Sequence, residues 1–161
     1  MYALLTDNQV TKVGELATLF PDSSNPIHAF AVEQGALEVV EGEQKDQRFY
    51  WVIFSHYEVA NGVVTRTYTN TPKALEDDGE TKGLKSQWIA QSKLAANSLL
   101  AATDWMVIRK AERNVDIPAD VVAERAKIIS NCTAKEAAIT AATTMDEFLA
   151  VVAPVTVGEP A

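Results

Sequence analysis

Hydrophobic positions change their spacing once along this chain. Within residues 1–70 they tend to alternate with polar ones, and within 84–151 they recur at steps of three and four. Alternation marks a half-buried strand, and the longer step marks one face of a helix. The clearest strand pair is Phe49–Ala60 with Val63–Thr69, joined by Asn61–Gly62. Asn-Gly tolerates positive φ at both positions, as a type I′ hairpin turn requires. Phe49, Trp51, Ile53, Ser55 and Tyr57 would share one face of the first strand, and Tyr50, Val52, Phe54 and His56 the other. Both faces begin apolar, which predicts a strand that is central or covered on both sides. Shorter candidates are Tyr2–Leu5, ended by turn residues Thr6, Asp7 and Asn8, then Gln9–Leu16 with partial alternation, and Ala36–Val40. Phe20–Pro26 reads as a loop, because Pro, Asp, Ser and Asn crowd it.

Residues 71–83 form an acidic linker with Pro72, Gly79 and Gly83, in which Thr71–Pro72 is placed to begin a helical turn. Beyond it, Leu84, Trp88, Gln91, Ala95 and Leu99 fall on one helix face, as do Val121, Arg125, Ile128 and Cys132 on another. Pro118 opens the second of these helices, with Asp120 at its positive end. Thr133…Glu136 and Thr144…Glu147 both match the capping box and predict two further helix starts. Residues 152–161 carry Pro154, Gly158 and Pro160 and read as an extended C-terminal tail. The expected class is α+β: a small antiparallel β region over 1–70, the linker over 71–83, and a helical hairpin or bundle over 84–151.

Composition narrows the function more than the fold. The 161 residues include 14 Lys and Arg against 22 Asp and Glu, for a net charge of −8. Such a balance repels nucleic acid and anionic membrane surfaces. No apolar run approaches the roughly 20 residues of a membrane span, and no signal peptide is expected from Met1–Asn8. Cys132 is the one cysteine, so an internal disulfide is excluded. It lies on a helical apolar stripe and reads as a small packed hydrophobe.

Candidate chemistry is sparse. His28 and His56 have no metal-ligand spacing to each other or to Cys132, and phosphate-loop, dinucleotide and nucleophile-elbow motifs do not occur. No cofactor or metal is therefore expected. Glu76–Glu80 has the composition of a calcium loop without its alternating order, and reads as a solvated acidic segment. Arg109, Lys110 and Arg113 cluster among Asp104, Glu112 and Asp116, which suits surface ion pairs or a protein-facing patch. Trp88 and Trp105 are expected to pack in the core.

The segment Leu99–Leu100–Ala101–Ala102–Thr103–Asp104–Trp105 resembles the "LLxxTDW" stretch in the C-terminal domains of tail-fibre assembly and tail assembly chaperone proteins of tailed bacteriophages. Met106–Glu112, Ile117–Pro118 and Arg125 extend the likeness, which covers about Leu84 to Ile129. The common chaperone pattern has a short polar, proline-containing stretch after the tryptophan, and here the apolar-basic run Met106–Arg113 takes its place. The opening Met1–Tyr2–Ala3–Leu4 matches such proteins in style. Physically, Thr103 and Asp104 can cap a helix start. Trp105 would then close a helical hairpin, packed by Leu99, Leu100 and Ile128.

The resemblance implies a non-enzymatic phage tail or tail-fibre accessory, an assembly chaperone or a virion adaptor. It would bind a tail-fibre or baseplate protein, in the virion tail or in the host cytoplasm during assembly. Homo-oligomerisation is compatible with this reading. Trp105, Met106, Arg109 and Arg113 are the expected partner-binding residues, because aromatic, Met and Arg side chains are enriched at interfaces. An alternative is a host-surface carbohydrate module in the β half, using Tyr50, Trp51, Tyr57 and Tyr68. An enzyme would need a positioned acid pair or an activated nucleophile, and neither can be named.

Overall fold

The computed structural model describes residues 1–153, arranged as two compact units that divide after Pro72. The fold is α+β, with a curled five-stranded sheet in the first unit and three helices in the second. Of the expected tail, Val152 instead ends a helix, and residues 154–161 lie outside the described part.

The first unit contains β1 (Tyr2–Thr6), β2 (Gln9–Gly14), α1 (Leu16–Leu19), α2 (His28–Glu33), β3 (Leu37–Glu41), β4 (Tyr50–Ala60) and β5 (Val63–Pro72), and its sheet order is β2-β1-β3-β5-β4. The two short helices are not legible in a half that reads as strands. Tight turns build both hairpins. Asn61 and Gly62 hold φ of 52° and 76°, and Asp7 and Asn8 hold 50° and 59°, so each turn places two residues in the left-handed region. Short polar side chains tolerate that region better than bulky ones.

Three expectations are corrected here. The sheet is not wholly antiparallel: β3 pairs parallel to β5 through Val39–Val64, Val40–Thr65 and Glu41–Arg66. The β4–β5 hairpin folds back so that its second strand, not its first, lies beside β3. That leaves β4 at the edge rather than the centre, with Trp51 and Ile53 exposed at 59% and 64%. Thr71–Pro72 ends β5 instead of starting a helical turn. Proline is tolerated there because it lies at the strand's end.

A bulge also rearranges the faces of β4. Phe54 pairs with Tyr68 and Tyr57 with Arg66, so Ser55 and His56 together oppose Thr67. The Thr67 hydroxyl donates to the His56 carbonyl at 2.7 Å across the irregularity. The extra residue shifts the alternation and brings Tyr57 to the face of Phe54, with ring centroids 5.0 Å apart. Buried residues of this unit include Ala3, Leu19, Ala31, Ala36, Phe49, Tyr50 and Val64.

The second unit consists of α3 (Leu84–Arg113), α4 (Ala119–Ala141) and α5 (Met145–Val152). The acidic segment before α3 is structured. The Asp77 carboxylate accepts from Lys82 Nζ at 2.7 Å and from the Gly83 amide at 2.8 Å. These bonds and one from Ser86 hold its pKa down to about 2. Gly83 is required by space, since a Cβ there would lie 2.3 Å from the Glu76 carbonyl oxygen.

α3 runs unbroken for 30 residues, so Thr103 and Asp104 lie in its interior and cap nothing. No Gly or Pro interrupts that stretch, and the alanine-rich sequence favours continuation. The helix stops at Asn114, whose φ of 54° gives a left-handed end, and its amide donates to the Lys110 carbonyl. The hairpin turn therefore lies at residues 114–118, not at Trp105. Likewise Thr133 and Glu136 sit inside α4, where Glu136 pairs with Lys93 of α3 at 2.7 Å. The Thr144–Glu147 capping box does form and opens α5. Leu84, Ile139, Ala142 and Phe148 are the buried apolar residues of this unit, with Trp88 edge-to-face on Phe148 at 6.4 Å. Among the described residues no helix is long and apolar enough to cross a membrane.

Candidate partner-binding surface

The long hairpin of α3 and α4 is held by polar bonds through its middle. Arg125 of α4 donates to the Leu100 carbonyl at 2.9 Å, the Thr103 hydroxyl at 2.6 Å and the Asp104 carboxylate at 2.9 Å. Cys132 Sγ approaches the Ser92 carbonyl at 3.8 Å, and the thiol is half-buried rather than enclosed. Small side chains, Ser92 and Ala96 on α3 and Cys132 on α4, occupy the seam.

This seam covers little of the apolar surface. Leu94, Leu99, Trp105, Ile108, Val122 and Ile129 are 68%, 63%, 52%, 56%, 50% and 51% exposed. Trp105 is thus a surface residue, not the packed hinge of a hairpin. A helix can bury about a third of its circumference against one neighbour, and α3 carries apolar residues on more than that. One exposed row steps by seven through Leu94, Ala101 and Ile108, with Trp105 beside it. The other steps by seven through Leu99, Met106 and Arg113.

The four sequence-predicted residues divide between these rows. Trp105 belongs to the first. Met106, half-buried, and Arg113, exposed in the last turn of α3, belong to the second. Arg109 lies between them, with its guanidinium over the Trp105 ring at 4.8 Å. Its Nε is buried without a hydrogen-bond partner among the described residues. Lys110, from the same basic cluster, is taken up by Asp116 at 3.0 Å.

Leu99 alone of the second row lines a groove of about 390 Å³ between the helices, floored by Ala95, Ala96, Leu99 and Ile128. Lys127 and Lys135 stand on its rim, with Glu124 as the one carboxylate. The sequence pattern singles out neither the lysines nor the groove. Its signal lies in Leu99 and Ile128 of the two apolar stripes, both of which read as packing positions. Between residues 84 and 141 there are eight Lys and Arg against six Asp and Glu, so this stretch is weakly basic in an acidic chain.

The aromatics of the β half do not form one platform. Tyr50 is buried, and Trp51 is exposed. Tyr57 and Tyr68 instead join Phe54 around Arg66, whose guanidinium lies 5.4 Å from the Phe54 ring and 5.5 Å from the Tyr68 ring. The Tyr68 hydroxyl donates to Glu41, which raises the phenol's pKa. His28 Nδ1 is hydrogen-bonded to the Tyr2 hydroxyl at 2.8 Å, and His56 Nδ1 to the neighbouring Ser55 hydroxyl at 3.0 Å. Among the described residues no three His, Cys, Asp or Glu side chains converge as a metal site would require. No protein-family profile, characterised protein or solved structure matches the chain.

Proposed function

We propose that the chain is a non-enzymatic protein-binding accessory of a phage tail or tail fibre, acting as an assembly chaperone or a virion adaptor. The observation that carries the binding mode is the α3–α4 hairpin with apolar side chains exposed on both of its faces. Apolar surface of this extent on a slender hairpin marks an interaction site. The phage setting rests on the likeness of Leu99–Trp105 to the tail-assembly stretch. The acidic balance of the chain disfavours nucleic acid, which leaves protein as the partner.

The groove between α3 and α4 is the contact that suits a tail-fibre or baseplate protein. Its floor of Ala95, Ala96, Leu99 and Ile128 admits close approach of a helix, with Lys127, Lys135 and Glu124 on its rim. The test is co-expression with the neighbouring tail-fibre and baseplate proteins, followed by co-purification. Wild type should retain one of them. Leu99→Asp, at an exposed position, should lose it while keeping the far-ultraviolet circular dichroism of the wild type. Retention by Leu99→Asp would move the contact off the groove. Failure to bind any tail protein, together with hydrolysis of a cell-surface polysaccharide, would replace this reading with an enzyme.

A further inference from the structure

The groove between α3 and α4 has two unlike sides. Lys127, Asn131 and Lys135 step by four along its α4 side, while Ala95 and Leu99 stand on its α3 side. We infer that its occupant is an amphipathic helix of a partner protein, with apolar side chains toward α3 and two carboxylates, two turns apart, toward α4. This rests on the reading of the groove as the partner contact and names the chemistry recognised there.

Charge argues for the carboxylates. In the helical unit Lys85, Lys93, Lys110 and Arg125 each pair with a carboxylate of their own chain. Lys127 and Lys135 meet no carboxylate among the described residues, and both stand exposed on this groove. They lie eight residues apart on one row of α4, about 12 Å along the axis. Carboxylates at positions i and i+7 of a second helix lie about 10.5 Å apart, which long lysine side chains can meet. The one carboxylate on the rim, Glu124, lies beyond Lys127 toward the hairpin turn, so the positive excess falls on the stretch from Lys127 to Lys135.

Continuity argues for a helix. The α3 side belongs to the row Leu84, Trp88, Ser92, Ala95 and Leu99, and the α4 side to a row that starts at Ile139 and passes Lys135, Asn131 and Lys127. Where these rows begin they are already covered. Leu84 and Ile139 are buried, and Phe148 of α5 meets Trp88 edge-to-face at 6.4 Å. α5 is itself a short amphipathic helix with Asp146 and Glu147 beside Phe148. One turn farther along, the same rows are open. Ala95, Ala96 and Cys132 line them there, and such small side chains let a helix approach to the short end of the range of about 8–10 Å between packed helices. The unit thus displays the kind of element that covers this surface and leaves the next stretch of it free.

The experiment uses the full chain and two fluorescent peptides, each an alanine-based helix of about 16 residues with leucines along one face. One carries two glutamates two turns apart beside the leucines, and the other carries lysines in their place. Fluorescence anisotropy should show the glutamate peptide bound about 10-fold more tightly or better at low salt, with the margin narrowing as salt is raised. Lys127→Glu combined with Lys135→Glu should reverse the preference while the circular dichroism of the helices stays that of wild type, and Leu99→Asp should weaken both peptides. No binding, equal binding of the two peptides, or a preference that survives the double reversal would overturn the proposal. So would self-association of the chain that Leu99→Asp abolishes, which would give the groove to a second copy. In the co-expression assay, a tail protein lost by Leu99→Asp but retained by the double reversal would overturn the carboxylate inference and leave the tail reading standing. A reversed peptide preference with no tail protein retained would uphold the inference about the groove and remove the tail reading.

Discussion

Replacing Arg125 tests what holds the hairpin together. Its guanidinium reaches three acceptors on α3, and its side chain is only 18% exposed. Breaking a buried ion pair costs about 3–5 kcal/mol when the remaining partner is stranded. Here no partner is stranded. The Thr103 hydroxyl keeps its own bond to the Leu100 carbonyl at 3.1 Å, and Asp104 is 55% exposed and returns to water. The loss is therefore the net value of charge-assisted bonds, about 1.5–3 kcal/mol for the set. Arg125→Met, which preserves most of the aliphatic stem, should cost about 2 kcal/mol. Asp104→Asn should cost well under about 1 kcal/mol, because its share is an exposed ion pair. Urea unfolding at one fixed protein concentration, followed by the circular dichroism of the helices, gives each value. The double variant gives the coupling between the two residues. Arg125→Met within about 0.5 kcal/mol of wild type would show that the apolar seam suffices. Asp104→Asn as costly as Arg125→Met would place the strength in the ion pair.

Three further outcomes follow from the second unit. Phe148 is fully buried against Trp88, so Phe148→Ala should cost about 3–5 kcal/mol in the same urea assay, and a change below about 1 kcal/mol would remove it from the core. Thr144→Ala removes the Thr144 side-chain bond to the Glu147 amide at 3.2 Å and should cost about 1 kcal/mol, while Thr133→Ala, inside α4, should cost nothing comparable. Asp77 titrates at about 2 in the folded chain, against about 3.9 when unfolded. Its stabilising contribution is present above the unfolded value and fades as pH falls toward about 2. Asp77→Asn should flatten the fall in melting temperature between about pH 4 and pH 2, and an unchanged slope would assign that fall to other carboxylates.

The sequence is readable where a local signal and its structural cause coincide. Asn61–Gly62, the Thr144–Glu147 box and the change from alternation to a helical period are each written in adjacent residues, and each appears in the structure. Sheet order is not written that way. The apolar faces of β4 suggest a central strand, because burial and exposure of Trp51 and Ile53 look alike before their neighbours are known. The bulge at Ser55–His56 is hidden for a similar reason: a shift of one residue leaves the composition unchanged while moving Tyr57 to the other face. Thr133 and Thr103 show the converse error, a valid local capping signal overridden by a helix that continues. In the candidate surface, residue types select Trp105, Met106, Arg109 and Arg113, but cannot show that they divide between two rows of α3.

The resemblance itself acquires a physical account from this division. Leu100, Thr103 and Asp104 of the motif turn toward Arg125 and join the helices, while Leu99 and Trp105 project onto different exposed rows. A hairpin joined mainly by burying leucines would have its apolar side chains drawn inward, leaving little surface for other proteins. Joining it through a guanidinium and small seam residues frees the large apolar side chains to face outward. Polar bonds also fix register more sharply than apolar contact, since sliding by one turn would leave the half-buried Arg125 without its acceptors. The hairpin can thus hold one register without drawing its large apolar side chains inward. The same residue spacing joins the helices while leaving Leu99 and Trp105 exposed on different rows of α3.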